Sequence, residues 1–109
     1  RPLRGQSPQE LMETVGLCRL IAQRFDSFTA DDVCHTCEAL ALLARKDLAV
    51  KEQISGRGGK LGMAIRHRAL DPAVLPALRP DAAARLVWLL AQMGLRDEVL
   101  LHALGQRAA

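Results

Sequence analysis

Apolar residues recur at spacings of three and four along most of the chain, which is the pattern of helices with one buried face. In the first such segment the stripe Leu11, Val15, Cys18, Ala22 and Phe25 alternates between the two spacings, with Met12, Leu17 and Ile21 widening it. It follows Ser7-Pro8-Gln9-Glu10, in which a hydroxyl cap, a proline in the first turn and a glutamate reaching back to the cap form a helix start signal. The sequence therefore predicts a helix near residues 8–25.

Similar signals divide the rest of the chain into further helices. Thr29 and Asp47 are placed to cap two of them, and the stretch from Ser55 to Lys60 contains three glycines, which make helix continuation costly. A short helix is expected through Leu61–Ile65, and Asp71-Pro72 begins another brief apolar piece. Two helices complete the chain: Pro80 opens one that Gly94 ends, and Asp97 caps one that Gly105 closes.

Composition supports a helical fold. The chain has 109 residues, half of them hydrophobic and a quarter charged, which is typical of one folded domain. Only Phe25, Phe28 and Trp88 are aromatic, so the core must be aliphatic, and unbranched aliphatic residues favour helices over strands. The fold class predicted is all-α.

Two segments repeat the same pattern fifty positions apart. Leu40-Ala41 aligns with Leu90-Ala91, and the capping Asp47 aligns with Asp97. Each unit, near 28–55 and near 78–105, is a helical hairpin that cannot bury its apolar face alone. We therefore expect residues 1–109 to form one helical-repeat module, in which antiparallel hairpins stack as a short α-solenoid, with a basic glycine-rich insertion near 55–62.

The second unit resembles a known family. Pro80-Asp81 at a helix start, the core Leu86-Val87-Trp88-Leu89-Leu90-Ala91, the stop Met93-Gly94 and the leucines Leu100-Leu101 are similar to the octotricopeptide and heptatricopeptide repeats of organellar RNA-binding proteins, which often accompany a RAP domain. The resemblance implies a non-enzymatic, RNA-associated protein in an organellar ribonucleoprotein such as the mitochondrial ribosome. Its implied partners are organellar RNA, ribosomal or messenger, and the protein subunits of a larger assembly. The implied location is mitochondrial, with the chloroplast as the alternative.

The basic residues are the candidates for RNA contact. The formal net charge is +3, and the densest basic region runs from Arg57 to Arg68. Our hypothesis is that six cations contact phosphates: Lys51, Arg57, Lys60, Arg66, Arg68 and Arg85. The alternative is that the glycine-rich stretch is only a solvated loop. A nucleotide-binding P-loop is not expected, because Leu61 follows Lys60 where Ser or Thr is required, and no strand precedes it.

The cysteines and the tryptophan also invite functional interpretations. Cys34 and Cys37 would share a helix face, but structural zinc needs four ligands, and the repeat aligns these cysteines with the core positions Ala84 and Val87. We therefore expect free thiols in a reducing compartment and no metal site. Trp88 could stack on a base, but because it adjoins the buried stripe we expect it to be a packing residue.

Nothing in the sequence indicates catalysis. The acidic residues lie at helix starts, where capping explains them, so we expect no enzyme activity, no cofactor and no small-molecule substrate. No apolar run is long enough for a membrane span, so no membrane partner is expected. The opening Arg1-Pro2-Leu3-Arg4 is compatible with the remnant of a cleaved transit peptide. The alternative function is a purely protein-binding scaffold subunit of an organellar complex, with no RNA contact.

Overall fold

The computed structural model describes residues 7–109, and within this range the fold is all-helical, with no strand. This confirms the predicted fold class. The opening basic segment, which was considered as a transit-peptide remnant, lies outside the described residues. The six helices are α1 (Pro8–Arg24), α2 (Ala30–Lys46), α3 (Leu48–Ser55), α4 (Lys60–Ala69), α5 (Pro80–Gln92) and α6 (Glu98–Ala108). Two short 3-10 turns, Phe25–Ser27 and Leu75–Ala77, precede α2 and α5.

Four of the six helices in the described range start at the side-chain caps that the sequence predicted, whereas α4 and α5 start without a side-chain cap. At α1 the Glu10 amide donates to the Ser7 hydroxyl while the Glu10 carboxylate accepts from the Ser7 amide, and Thr29 and Asp32 form the same reciprocal pair at α2. The carboxylates of Asp47 and Asp97 accept amide hydrogen bonds at the starts of α3 and α6. One predicted end is wrong: α6 continues through Gly105 to Ala108, because an exposed glycine lowers helix propensity without ending a helix.

The helices pack into an elongated body with principal extents of 43 × 24 × 21 Å. The helix α1 lies against α3 and α4, α2 lies against α3 and α5, and α5 makes its most extensive contact with α6. The core between them is aliphatic apart from Phe25 and the sulfur-containing Cys18, Cys37 and Met93, and no polar or charged residue in the described range is buried. The stripe of α1 lies inward at Cys18, while Met12 and Leu17 beside it are exposed, so the buried face is narrower than the sequence indicated.

The glycine-rich stretch lets α3 and α4 approach closely. A Cβ at Gly59 or Gly62 would overlap the carbonyl oxygens of Gln53 and Ile54 in the last turn of α3. Only a residue without a side chain fits at these two positions, so their glycines are explained by helix packing. At Gly94 the backbone φ is +78°, which ends α5 in the left-handed conformation that glycine adopts readily.

Backbone features recur at an offset of fifty residues. The 3-10 turns begin at Phe25 and Leu75, the following helices begin at residues 30 and 80, and the next helices begin at residues 48 and 98. The carbonyl of the residue that follows each 3-10 turn accepts a hydrogen bond from an arginine. Arg68 Nε of α4 donates to the Phe28 carbonyl at 2.8 Å, and Arg107 Nε of α6 donates to the Leu78 carbonyl at 2.5 Å.

Candidate nucleic-acid interface

Four of the six predicted RNA-binding cations are exposed on α3, the glycine-rich loop and α4. Lys60 and Arg66 are on the outward face of α4, together with the exposed Met63 and His67, as the helical period requires. Arg57 is exposed in the loop that precedes α4, and Lys51 is exposed on α3. We name Lys51, Arg57, Lys60 and Arg66 the α3–α4 basic corner.

The basic corner is only partly neutralised. Arg66 Nε lies 2.5 Å from a carboxylate oxygen of Asp97, the capping residue of α6, which ties α4 to α6. Within residues 7–109, no salt bridge involves Lys51, Arg57 or Lys60. These three side chains are therefore exposed cations without a carboxylate at contact distance.

Two recesses flank the outward face of α4. Arg66 lines one together with the loop glycines, Leu95 and Asp97. Lys60 lines the other with Arg19 and Gln23 of α1. Lys60 and Arg66 are six residues apart on α4, which is about 9 Å along the helix axis.

Arg68 lies apart from this face and has a structural position. Only 19% of its side chain is exposed, its Nε donates to the Phe28 carbonyl, and its terminal nitrogen lies 3.5 Å from the Asp71 carboxylate. The guanidinium therefore ties α4 to the start of α2. The sequence around Arg68 does not indicate this hydrogen-bond partner, because Phe28 is forty residues away.

Arg85 lies on a different surface, between α2 and α5. Its guanidinium forms two hydrogen bonds with the Glu38 carboxylate, at 2.7 and 3.0 Å. This hydrogen bonding lowers the pKa of Glu38, although both side chains are about half exposed. The pair closes one end of a shallow groove of about 130 Å³, the Trp88 groove, which is lined by Glu38, Ala41, Leu42, Arg45, Arg85, Trp88, Leu89 and Gln92.

Trp88 is exposed, although its position beside the buried stripe predicted a packing residue. Half of its surface (51%) is exposed, and the Arg85 guanidinium carbon lies 4.5 Å from the centre of its ring, a cation–π contact. The helical period was the signal that could have shown this, since it aligns Trp88 with the exposed Ala84 and Gln92 and not with the buried Leu86 and Leu90. Adjacency in sequence to a buried stripe does not place a residue on the buried face of a helix.

The thiols have the character of packing groups. Burial raises the pKa of the Cys37 thiol to about 12, and burial also raises the pKa of Cys18 and of the half-buried Cys34. All three are free. A raised pKa disfavours the thiolate, the form that attacks substrates and binds metals. Within residues 7–109, no group of three or more histidine, cysteine, aspartate or glutamate residues is placed to share a metal ion.

Comparisons with known proteins found no match for this chain. No family model, no curated protein and no solved structure matches it. In the described part of the chain, no helix combines the length and the apolar character that crossing a membrane requires. The similarity to organellar helical repeats therefore stays a prediction that depends on the residues quoted for it.

Proposed function

We propose that the protein is a non-enzymatic, RNA-associated helical-repeat protein that contacts RNA phosphates through the α3–α4 basic corner. We propose further that it is a structural component of an organellar ribonucleoprotein such as the mitochondrial ribosome, located in mitochondria or, alternatively, in chloroplasts. Its partners would be RNA and the protein subunits of the same assembly, with no small-molecule substrate.

The recurrence of backbone features supports the repeat architecture in this proposal. Two units start with a 3-10 turn, continue with a helix, and turn at a capping aspartate into a second helix, at a constant offset of fifty residues. The first helices of the two units, α2 and α5, pack against each other. Contact between the first helices of neighbouring hairpins is one feature expected of an α-solenoid and supports this part of the proposal. In the first unit the insertion adds α4, which packs against α3.

The single observation that carries the RNA proposal is the set of exposed cations at the basic corner. Lys51, Arg57 and Lys60 have no contacting carboxylate among residues 7–109, so their charges are available to a phosphate backbone. Arg66 can exchange its exposed pairing with Asp97 for a phosphate, since its side chain is 46% exposed. Phosphate contacts of this kind position RNA without reading its sequence.

The test is the salt dependence of binding to a single-stranded RNA oligonucleotide. Each phosphate contact releases condensed counterions and adds about 0.7 to the slope of log affinity against log salt concentration. The double variant Arg57→Gln/Lys60→Gln should therefore reduce that slope by about 1.4, measured by fluorescence anisotropy at a series of salt concentrations.

The matched control removes two exposed cations at other places. Arg24→Gln/Arg45→Gln changes the net charge equally, at the ends of α1 and α2, and like Arg57 and Lys60 neither arginine forms a salt bridge within residues 7–109. We expect its slope to equal that of the unsubstituted protein. Equal slope losses in both variants, or no measurable RNA binding, would refute the phosphate role of the basic corner.

A second candidate, a protein-binding scaffold without RNA contact, is favoured by one observation on α1. Met12, Leu17 and Leu20 of this helix are 74%, 55% and 59% exposed. Exposed apolar residues of this size are typical of surfaces that other subunits cover. This candidate predicts that complexes isolated from the native source survive nuclease digestion unchanged, whereas the RNA proposal predicts that digestion changes their composition.

A further inference from the structure

A recess between α1 and α4 brings together two cations that are far apart in the sequence. It is lined by Arg19, Ala22 and Gln23 of α1 and by Lys60, the first residue of α4. The two helices pack against each other, and the recess between them has a volume of about 270 Å³. Its polar lining groups are a guanidinium, an ammonium and a carboxamide, with no carboxylate. We name it the α1–α4 recess.

The charges of Arg19 and Lys60 are not compensated by neighbouring acids. None of the α1 residues three or four positions from Arg19 is charged, and the first turn of α4 contains no acidic residue. Within residues 7–109, no salt bridge involves either cation. Two like charges that line one recess repel each other, so an anion bound there would be stabilised by both.

The donor groups of the recess suit a phosphate. Arg19 and Gln23 are four positions apart and therefore lie on one face of α1, and both are exposed, as is Lys60. A guanidinium presents its N–H groups in a fork that matches two phosphate oxygens, and an ammonium acts as a point charge. A carboxamide adds two neutral N–H donors.

We propose that the α1–α4 recess binds a phosphate group of an RNA strand, with Arg19 and Gln23 as contact residues in addition to the basic corner. Lys60 belongs to both sites, so the strand that contacts Arg57 and Lys60 continues onto α1. Arg19 contacts the phosphate next to the one at Lys60, and Gln23 donates to the same phosphate as Arg19. This inference rests on the RNA-associated function proposed above, and it adds to the interface a helix that two other helices separate from α4 in the chain.

The charge of Arg19 is tested by the salt dependence of RNA binding. Arg19→Gln should reduce the slope of log affinity against log salt concentration by about 0.7, measured by fluorescence anisotropy with a single-stranded oligouridylate. Arg19→Lys keeps the charge and should keep the slope. The matched control is Arg24→Gln, because Arg24 is also exposed on α1 and forms no salt bridge within residues 7–109, yet does not line the recess. Its slope should equal that of the unsubstituted protein.

Gln23 gives a different signature, because its side chain donates hydrogen bonds without carrying charge. Gln23→Leu should lower RNA affinity by about two- to tenfold at every salt concentration and leave the slope unchanged. Gln9→Leu, at an exposed position near the start of α1 and outside the recess, should leave both affinity and slope unchanged. All these substitutions are at exposed helical positions, and circular dichroism verifies that the variants fold.

Equal slopes for Arg19→Gln and Arg24→Gln would overturn the inference, as would unchanged affinity in Gln23→Leu. Loss of slope in Arg57→Gln/Lys60→Gln but not in Arg19→Gln would overturn this inference alone, whereas no measurable RNA binding by the unsubstituted protein would overturn the RNA proposal as well. Calorimetric titration with pyrophosphate identifies the source of the phosphate. Pyrophosphate binding that requires Arg19, together with an RNA slope that does not, would assign the recess to a free phosphate compound and overturn its role in RNA binding.

Discussion

The Cys37 thiol is fully buried in α2, and burial raises its pKa from the ordinary 9.0 to about 12. A protonated thiol is neutral and a thiolate is charged, so a core without polar groups holds the proton more strongly than water does. The Cys34 thiol, one turn earlier, is only half buried. The two cysteines therefore differ in exposure, although they lie three residues apart in the sequence.

Buried Cys37 makes the stability of the fold depend on alkaline pH. The unfolded chain releases this proton near pH 9.0, whereas the folded chain holds it to about pH 12, so the free energy of unfolding falls as pH rises through this window. The limiting slope is about 1.4 kcal/mol per pH unit. Urea unfolding at a series of pH values should show this loss. Basic side chains contribute to the same window, so the comparison is with Cys37→Ala, which should lose less stability; identical pH profiles would contradict the assignment.

At the scale of elements, glycines in helices have opposite roles that depend on their neighbours. Gly62 is buried in α4, where a Cβ would overlap the Ile54 carbonyl of α3. Gly105 in α6 has no neighbouring atom within 4 Å of the Cβ position. The first glycine sets the distance between two helices, and the second only weakens its own helix.

Alanine substitutions at these glycines should therefore have opposite signs. Gly62→Ala should lower the free energy of unfolding by about 1–3 kcal/mol, because overpacking forces α3 and α4 apart. Gly105→Ala should raise it by about 0.5–1 kcal/mol, through the higher helix propensity of alanine. Urea denaturation of both variants measures the two changes. Stabilisation by Gly62→Ala would show that the close approach of α3 and α4 is not required.

At the scale of the whole molecule, two arginines connect distant parts of the chain in equivalent ways. Arg68 fixes α4 to the carbonyl before α2, and Arg107 fixes α6 to the carbonyl before α5. In each case a charged donor satisfies the carbonyl of the residue that precedes a helix N-cap. The two contacts fix the positions of α4 and α6 relative to the helices α2 and α5.

Arg68→Gln should consequently destabilise the fold without weakening RNA binding. We expect a loss of about 1.5–3 kcal/mol, the usual contribution of a hydrogen bond to a charged group, in urea unfolding. Arg57→Gln, in the exposed loop, should leave stability unchanged and reduce the salt dependence of RNA affinity. The opposite pattern, in which Arg68→Gln is stable but binds RNA less well, would show that Arg68 contacts RNA.

Local signals in the sequence predicted the helices and the starts of four of them. Ser7, Thr29, Asp47 and Asp97 cap helices as predicted, because a cap depends on residues within one turn of itself. The aliphatic composition likewise fixed the all-helical class. The periodic spacing predicted which side of α1 lies inward, although fewer residues of the predicted stripe are buried than the pattern indicated.

The candidate site was predicted less completely, for a physical reason. Whether a cation can meet a phosphate depends on its folded neighbours: Arg68 is held by a carbonyl forty residues away and Arg85 by a carboxylate forty-seven residues away, while Lys51, Arg57 and Lys60 are exposed. The same holds for Gly62, whose neighbour is the backbone of another helix. Helix formation depends on contacts within a few residues, which the sequence displays directly. Which side of each helix remains exposed to solvent is decided by contacts between remote segments, and only the tertiary structure brings those segments together.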